Sequence, residues 1–195
     1  MIASDLGRKK IRHFYEQKGN IMSGGELSLT GIERFFPEDE IIVTKTDTKG
    51  IITYLNDVFS VVSGYSESEA LGKPHSIIRH PKMPRCVFKL LWDTIESGNE
   101  IFAYVNNRAR NGDNYWVLAH VTPTFDIGGR IISYHSSRRL PRRDAISKIN
   151  PIYELLYQEE QKHADRKVGM QASFDFLVNF LSKQGVGYDE LVLSL

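Results

Sequence analysis

Cysteine is nearly absent from this chain of 195 residues: Cys86 is the only one. A single thiol excludes an internal disulfide, a CxxC redox pair and a cysteine-based zinc site. Any redox chemistry must therefore come from a bound cofactor. Long apolar runs are missing too. The longest cover about five to seven residues, as at Ile101-Phe-Ala-Tyr-Val105, whereas a helix that crosses a bilayer needs roughly 20. The start, Met1-Ile-Ala-Ser-Asp-Leu-Gly-Arg-Lys-Lys10, places its charges after two apolar residues. It lacks the apolar core of about seven residues that a secretory leader requires. These absences predict a cytoplasmic protein that does not itself span the membrane. An excess of one charge is also missing, with 25 Lys+Arg against 24 Asp+Glu. No global field draws the chain onto nucleic acid, so no nucleic-acid partner is expected.

What is present is an ordinary globular composition, 41% hydrophobic, 25% charged and 11% aromatic. That balance excludes extended disorder and suits one domain with appendages. Three segments follow from the patterning. Residues 1–36 form an N-terminal helical cap and linker, because Ile11, Phe14 and Tyr15 share one face before Ser23-Gly-Gly25 interrupts. Residues 37–143 carry the strand signals. Ile41 to Thr46 and Ile51 to Leu55 flank an Asp47-Thr-Lys-Gly50 turn, and a helix over 84–97 stops at Gly98. Three further strands, 100–108, 114–126 and 130–138, are joined by Asn111-Gly112 and Gly128-Gly129. Residues 144–195 form a helical extension with Ile146, Ile149, Ile152, Tyr153 and Leu156 on one stripe, ending in a solvated run over 159–167. A second helix bears Phe174, Leu177 and Leu181, closes at Gly185, and leaves a short apolar tail suited to a partner contact.

Three blocks are more specific than the element order. They are Asn56-Asp-Val-Phe-Ser-Val-Val-Ser-Gly-Tyr65, Gly72-Lys-Pro-His-Ser-Ile-Ile-Arg-His-Pro-Lys-Met-Pro84 and Asn107-Arg-Ala-Arg-Asn-Gly-Asp-Asn-Tyr-Trp116. Together they resemble the Aer-type PAS sensors of aerotaxis, which bind FAD, over a little more than half of the chain. The resemblance implies an α+β fold: a single PAS domain, a five-stranded antiparallel sheet with short helices on one face, between an N-terminal helix and a C-terminal helical tail. Aer receptors continue into membrane helices and a coiled coil, whereas this sequence ends about 55 residues after Pro141. It is most similar to the soluble CetB-like PAS partners of split energy-taxis systems. That likeness implies a separate membrane-bound chemotaxis transducer as partner.

A flavin is flat, apolar on both faces and polar along one edge, so its pocket needs apolar walls and a few placed amides or cations. Asn107 stands where flavin-binding relatives place an amide, beside Asn106; the alternative is that Asn107 caps the Asn111-Gly112 turn. His75, Arg79 and His80 suit the ribityl chain and pyrophosphate, or else cap short helices and pair with a surface carboxylate. Lys82 stands where the family usually has an acid. Phe88, Trp92, Phe102, Trp116 and Tyr134 can pack near a ring or serve as core; Phe102 replaces a Trp of the family. His75 falls at the position of the adduct-forming cysteine of light-sensing relatives, which excludes that photochemistry. His135 aligns with a glutamine near flavin N5 and can follow a redox-linked proton, or it is a surface histidine. Arg138-Arg139 and Arg142-Arg143 form a basic cluster, read as solvated surface, as a dock for an acidic partner, or as a tether for the following helix.

The expectation is a non-enzymatic cytoplasmic redox sensor holding FAD, possessing no metal site, and forming homodimers through its flanking helices. The alternatives are a haem-binding PAS gas sensor, with His75, His80, His120 or His135 as ligand, and a ligand-free PAS interaction module.

Overall fold

The computed structural model describes residues 29–195. The helix expected over residues 4–18 lies outside them. Strand β1 (Ile42–Thr46) and β2 (Ile52–Leu55) form the expected hairpin. Asp47 closes its turn by accepting from the Lys49 and Ile51 amides, and Gly50 completes it at φ 77°, a conformation costly for any side chain. The short helices α1 (Asp57–Ser63) and α2 (Glu67–Ala70) and a 3-10 turn (His75–Ile78) lead to α3 (Arg85–Glu96). Then come β3 (Ile101–Arg108), β4 (Asn114–Phe125) and β5 (Ile131–Arg139).

All pairings are antiparallel and the sheet order is β2-β1-β5-β4-β3. The hairpin between β3 and β4 is in register from Ile101↔Val121 to Arg108↔Asn114. Side chains alternate across the sheet with a period of two. Ala103, Val105, Asn107, Ala119 and Val121 are buried on the inner face beneath α3, while Phe102, Asn106 and His120 fall on the outer one. The expected α+β sheet with helices on one face is therefore present.

The C-terminal extension folds as α4 (Arg143–Gln161), α5 (Arg166–Gln184) and α6 (Tyr188–Leu193). Ile146, Ile149, Tyr153 and Leu156 are buried, as the stripe predicts. One expectation needs correction, and two further segments are placed against the domain. The solvated run over 159–167 contains Glu160, which is 2% exposed. The apolar tail is α6, and it docks on this chain's own sheet: Tyr188 and Val192 are buried, and the Tyr188 hydroxyl lies 2.9 Å from that of Tyr153. The end of the linker, residues 29–36, is fastened to the domain. Thr30 and Arg34 donate to Asp113 at 2.6 and 2.8 Å, and Phe36 is buried. Burial alone raises the Asp113 carboxyl, but hydrogen bonds from Thr30, Arg34 and Asn111 outweigh it and hold the group below its ordinary range.

The edge of β3 away from β4 is paired at Asn107, whose backbone bridges to that of Arg79, and its other outward backbone groups need cover. The Tyr153 hydroxyl donates to the Tyr104 carbonyl there at 3.0 Å, and α6 packs alongside. Edge protection thus comes from the Arg79 segment at Asn107 and from the extension at Tyr104.

Candidate functional site

Between the inner face of the sheet and the helical layer lies a cavity of about 630 Å³, within the range of small-molecule and cofactor sites. Val105, Ala119 and Val121 make its flat sheet-side wall, and Ile78, Leu91 and Trp92 the opposite one. Small and β-branched residues keep the sheet side shallow. Trp92 stands edge-on to Tyr134 with ring centroids 5.6 Å apart. The tip of Trp92 rests on Gly50, where an added Cβ meets it at 3.0 Å. Only glycine gives both that clearance and the positive φ.

The cavity's buried polar atoms without hydrogen-bond partners lie on the strands. Asn107 is 4% exposed and its Nδ2 has no hydrogen-bond partner; the same holds for Ser136 Oγ and Arg138 Nη1. All three residues line the cavity. Buried polar atoms without partners cost roughly 1–3 kcal/mol each, so three on one wall mark a place prepared for a polar ligand edge. The Arg79 backbone bridges to that of Asn107, which closes the segment after the 3-10 turn against β3. The Arg79 guanidinium stacks 4.1 Å from the centroid of Phe88. Burial pulls its pKa down to about 10 against the opposing pull of Glu160, and it stays charged at neutral pH.

Arg138 was read from sequence as part of a basic surface cluster. It is buried instead, because its even position on β5 points inward with Tyr134 and Ser136. Its Nη2 donates to Thr44 Oγ1 at 2.7 Å and to His75 Nε2 at 2.6 Å. Since arginine only donates, Nε2 of His75 accepts, and the ring is neutral with its proton on Nδ1. Burial, then the nearby Arg138 charge, holds the His75 pKa well below its ordinary value. Burial likewise lowers Arg138 to about 10. The rest of the cluster stays outside: Arg143 pairs with Glu33 at 2.5 Å, and Arg142 donates to the Leu195 carbonyl at 2.5 Å. These contacts tie the start of α4 to the segment before β1 and to the C-terminal end of the chain.

Of the residues expected in the site, Asn107, Arg79, His75, Phe88 and Trp92 line the cavity together. Tyr134, Ser136 and Arg138 join them. Five others are elsewhere. Phe102 stacks on His120 at 4.2 Å on the outer face. Asn106 accepts there from Asn114 at 3.2 Å, and Trp116 stacks on Tyr153 with centroids 6.3 Å apart. His135 is half-buried on the outer side of β5, its pKa lowered by burial and then by Lys45 and His120. Each is an odd number of residues from an inward-facing neighbour on its own strand, and alternation carries it through the sheet. His80 is buried, with Nδ1 accepting from the Lys82 amide at 3.3 Å, which closes a turn and keeps it off the cavity wall. Asn107 does not cap the Asn111-Gly112 turn; Asn111 and Asp113 bond each other there.

Several cavity residues had no sequence signal, Ser136 among them, and one comes from outside the sheet and its helices. Met170 of α5 reaches the same cavity from far outside the strand-helix-strand region.

An inner sheet face that cradles a mixed apolar and polar cavity under a helix, with strand order β2-β1-β5-β4-β3, defines the class. The family model described as PAS fold matches residues 52–138, and that region is a PAS domain. The chain is similar to the Aerotaxis receptor of Escherichia coli (strain K12), which is 38% identical over 119 residues, 61% of this chain and 23% of the receptor. A Nitrogen fixation regulatory protein of Klebsiella pneumoniae is 26% identical over 99 residues, 51% of this chain and 20% of its own length. The chain spans less than a quarter of each. Among solved structures, the dark state of the blue-light photoreceptor Aureochrome1 LOV superposes with a TM-score of 0.51 at 24% identity, over 56% of this chain and 83% of that one. A light-oxygen-voltage domain studied with a flavin analogue gives 0.51 at 17%, over 59% and 86%. These likenesses establish the fold.

Proposed function

We propose that the protein is a cytoplasmic redox sensor of energy taxis. In this reading it binds FAD in its PAS cavity, catalyses no reaction, and signals by contact with a separate membrane-bound chemotaxis transducer. The observation that carries the proposal is the three unpartnered polar atoms, Asn107 Nδ2, Ser136 Oγ and Arg138 Nη1, borne by the sheet wall of a cavity that also has apolar surfaces. That arrangement matches the polar edge and apolar faces of an isoalloxazine ring. The name of the Escherichia coli relative, Aerotaxis receptor, supports the sensory role.

When bound, flavin supplies reversible electron and proton transfer. Asn107, Ser136 and Arg138 would make polar contacts with it from the sheet, and Trp92 would lie against the ring region. Arg79, the cavity-lining cation beside Phe88, would meet the phosphate-bearing end. Arg138 is the coupling group. It joins β5 to β1 through Thr44 and to the 3-10 turn through His75, so any change of charge at the ligand edge is felt by three elements at once. A signal passes only because such a contact differs in energy between ligand states.

Haem is disfavoured by the same geometry. His75 is the histidine on the cavity wall, its Nε2 lone pair accepts from Arg138 and its Nδ1 carries the proton, which leaves nothing to bind iron.

An absorption spectrum of the purified protein tests the proposal. Flavin bands that bleach with dithionite, FAD mass in the released chromophore, and transducer affinity that differs between oxidised and reduced protein are expected. A Soret band or a colourless protein would falsify it.

A further inference from the structure

The junction of the C-terminal hairpin with the PAS domain is built around one buried carboxylate. Glu160, near the end of α4, accepts through Oε1 from the backbone amides of Arg85 at 2.5 Å and Cys86 at 3.0 Å. These are the first amides of α3, which its own hydrogen bonds leave unpartnered, and Pro84 before them offers no side-chain cap. A carboxylate at a helix N-terminus also opposes the helix dipole favourably. The other oxygen of Glu160 lies 3.4 Å from Arg85 Nε, and Arg85 Nη1 donates onward to the Arg166 carbonyl at the start of α5 at 2.8 Å.

The helices meet with no space to spare. A Cβ at Gly169 would stand 2.5 Å from the Glu160 carbonyl oxygen, so only glycine permits the crossing of α4 and α5. One turn later Ser173 Oγ donates to the Leu156 carbonyl at 2.9 Å and lies 3.1 Å from Cys86 Sγ. The residue between these two contacts, Met170, faces the cavity. Arg85 and Phe88, on the α3 turn that Glu160 caps, line it as well.

We propose that the α4–α5 hairpin is a wall of the ligand site: Met170 contacts the bound ligand, and Glu160 is the positioning residue that latches α5 to α3 so that the wall closes. The inference rests on the flavin reading and extends it to residues beyond the PAS match. Ligand that fills the cavity packs against Met170 and favours the latched hairpin. By linkage, the factor by which ligand favours the latched hairpin is the factor by which latching tightens ligand binding.

Cys86 is a built-in reporter. It is fully buried under α5 and burial raises its thiol to about 11, so it reacts only when the hairpin opens. The test measures labelling of Cys86 by a thiol reagent, together with FAD dissociation, in the full-length protein and its variants. FAD is expected to slow labelling at least threefold. Glu160→Gln should label at least tenfold faster without FAD and release FAD faster. Met170→Ala should release FAD at least threefold faster, and Met170→Leu, which keeps the apolar contact, should behave like the parent. If FAD binds with its normal spectrum but labelling is unchanged and Met170→Ala holds it as long as the parent, the wall assignment is wrong and the flavin reading stands. If FAD does not bind at all, the flavin reading fails and this inference falls with it.

Discussion

Asn107 and His75 show how one cavity sets opposing demands on stability and binding. The unpartnered amide of Asn107 costs the ligand-free fold free energy that a ligand returns. Asn107→Leu is therefore expected to keep or raise the thermal midpoint of the flavin-free protein while weakening FAD binding about tenfold; calorimetry and flavin titration measure the two. His75 makes a pH prediction. Its folded-state pKa lies well below the ordinary 6.5, so between those values the unfolded chain binds a proton that the fold refuses. Stability from this group is complete above about pH 6.5 and falls as pH drops below it. Urea midpoints at pH 7.5 and 5.5 should fall less for His75→Gln, whose amide oxygen can still accept from Arg138. An equal fall would assign the loss to other groups. Neither effect was legible in the sequence. It showed that Asn107 and His75 were polar residues in a motif, but it could not show that one lacks a partner or that the other faces a buried arginine.

At the scale of elements, the hairpins and α3 follow from local chemistry. Asp47 and Gly50 dictate a turn, the β-rich runs dictate strands, and the apolar spacing in 84–97 dictates the helix. What local chemistry leaves open is which face of a strand meets the helices. Placing His135 in the site instead of Ser136 is an error of one residue, and with a period of two that reverses the side of the sheet. The same physics sent Phe102, Asn106 and Trp116 outward and Arg138 inward. The extension adds an element-scale prediction. Tyr153→Phe leaves the Tyr104 carbonyl and the Tyr188 hydroxyl without their shared partner, at an expected cost of about 1–2 kcal/mol. Hydrogen exchange should report it first in α6 and along β3; protection unchanged in both would show that apolar packing alone holds the edge.

For the molecule as a whole, the PAS domain and the C-terminal helices share one buried core, with Trp116 and Tyr104 of the sheet meeting Tyr153 and Tyr188 of the extension. Removal of residues 143–195 uncovers that apolar face and the β3 edge together. The shortened chain is expected to self-associate in light scattering at concentrations where the full chain does not, and a truncated protein of unchanged mass would count against the edge-guard role. The sequence by itself determined the α+β class, the order of elements, the turns, and the Aer-type PAS motif blocks, because all of these are written in short-range patterns of residue type. Only the tertiary structure decided which residues share the cavity, that Arg138 and Glu160 are buried charges with structural partners, and that Met170 stands on the cavity wall. Those outcomes depend on strand register and on helices meeting across more than 70 residues of sequence, and no local pattern encodes either.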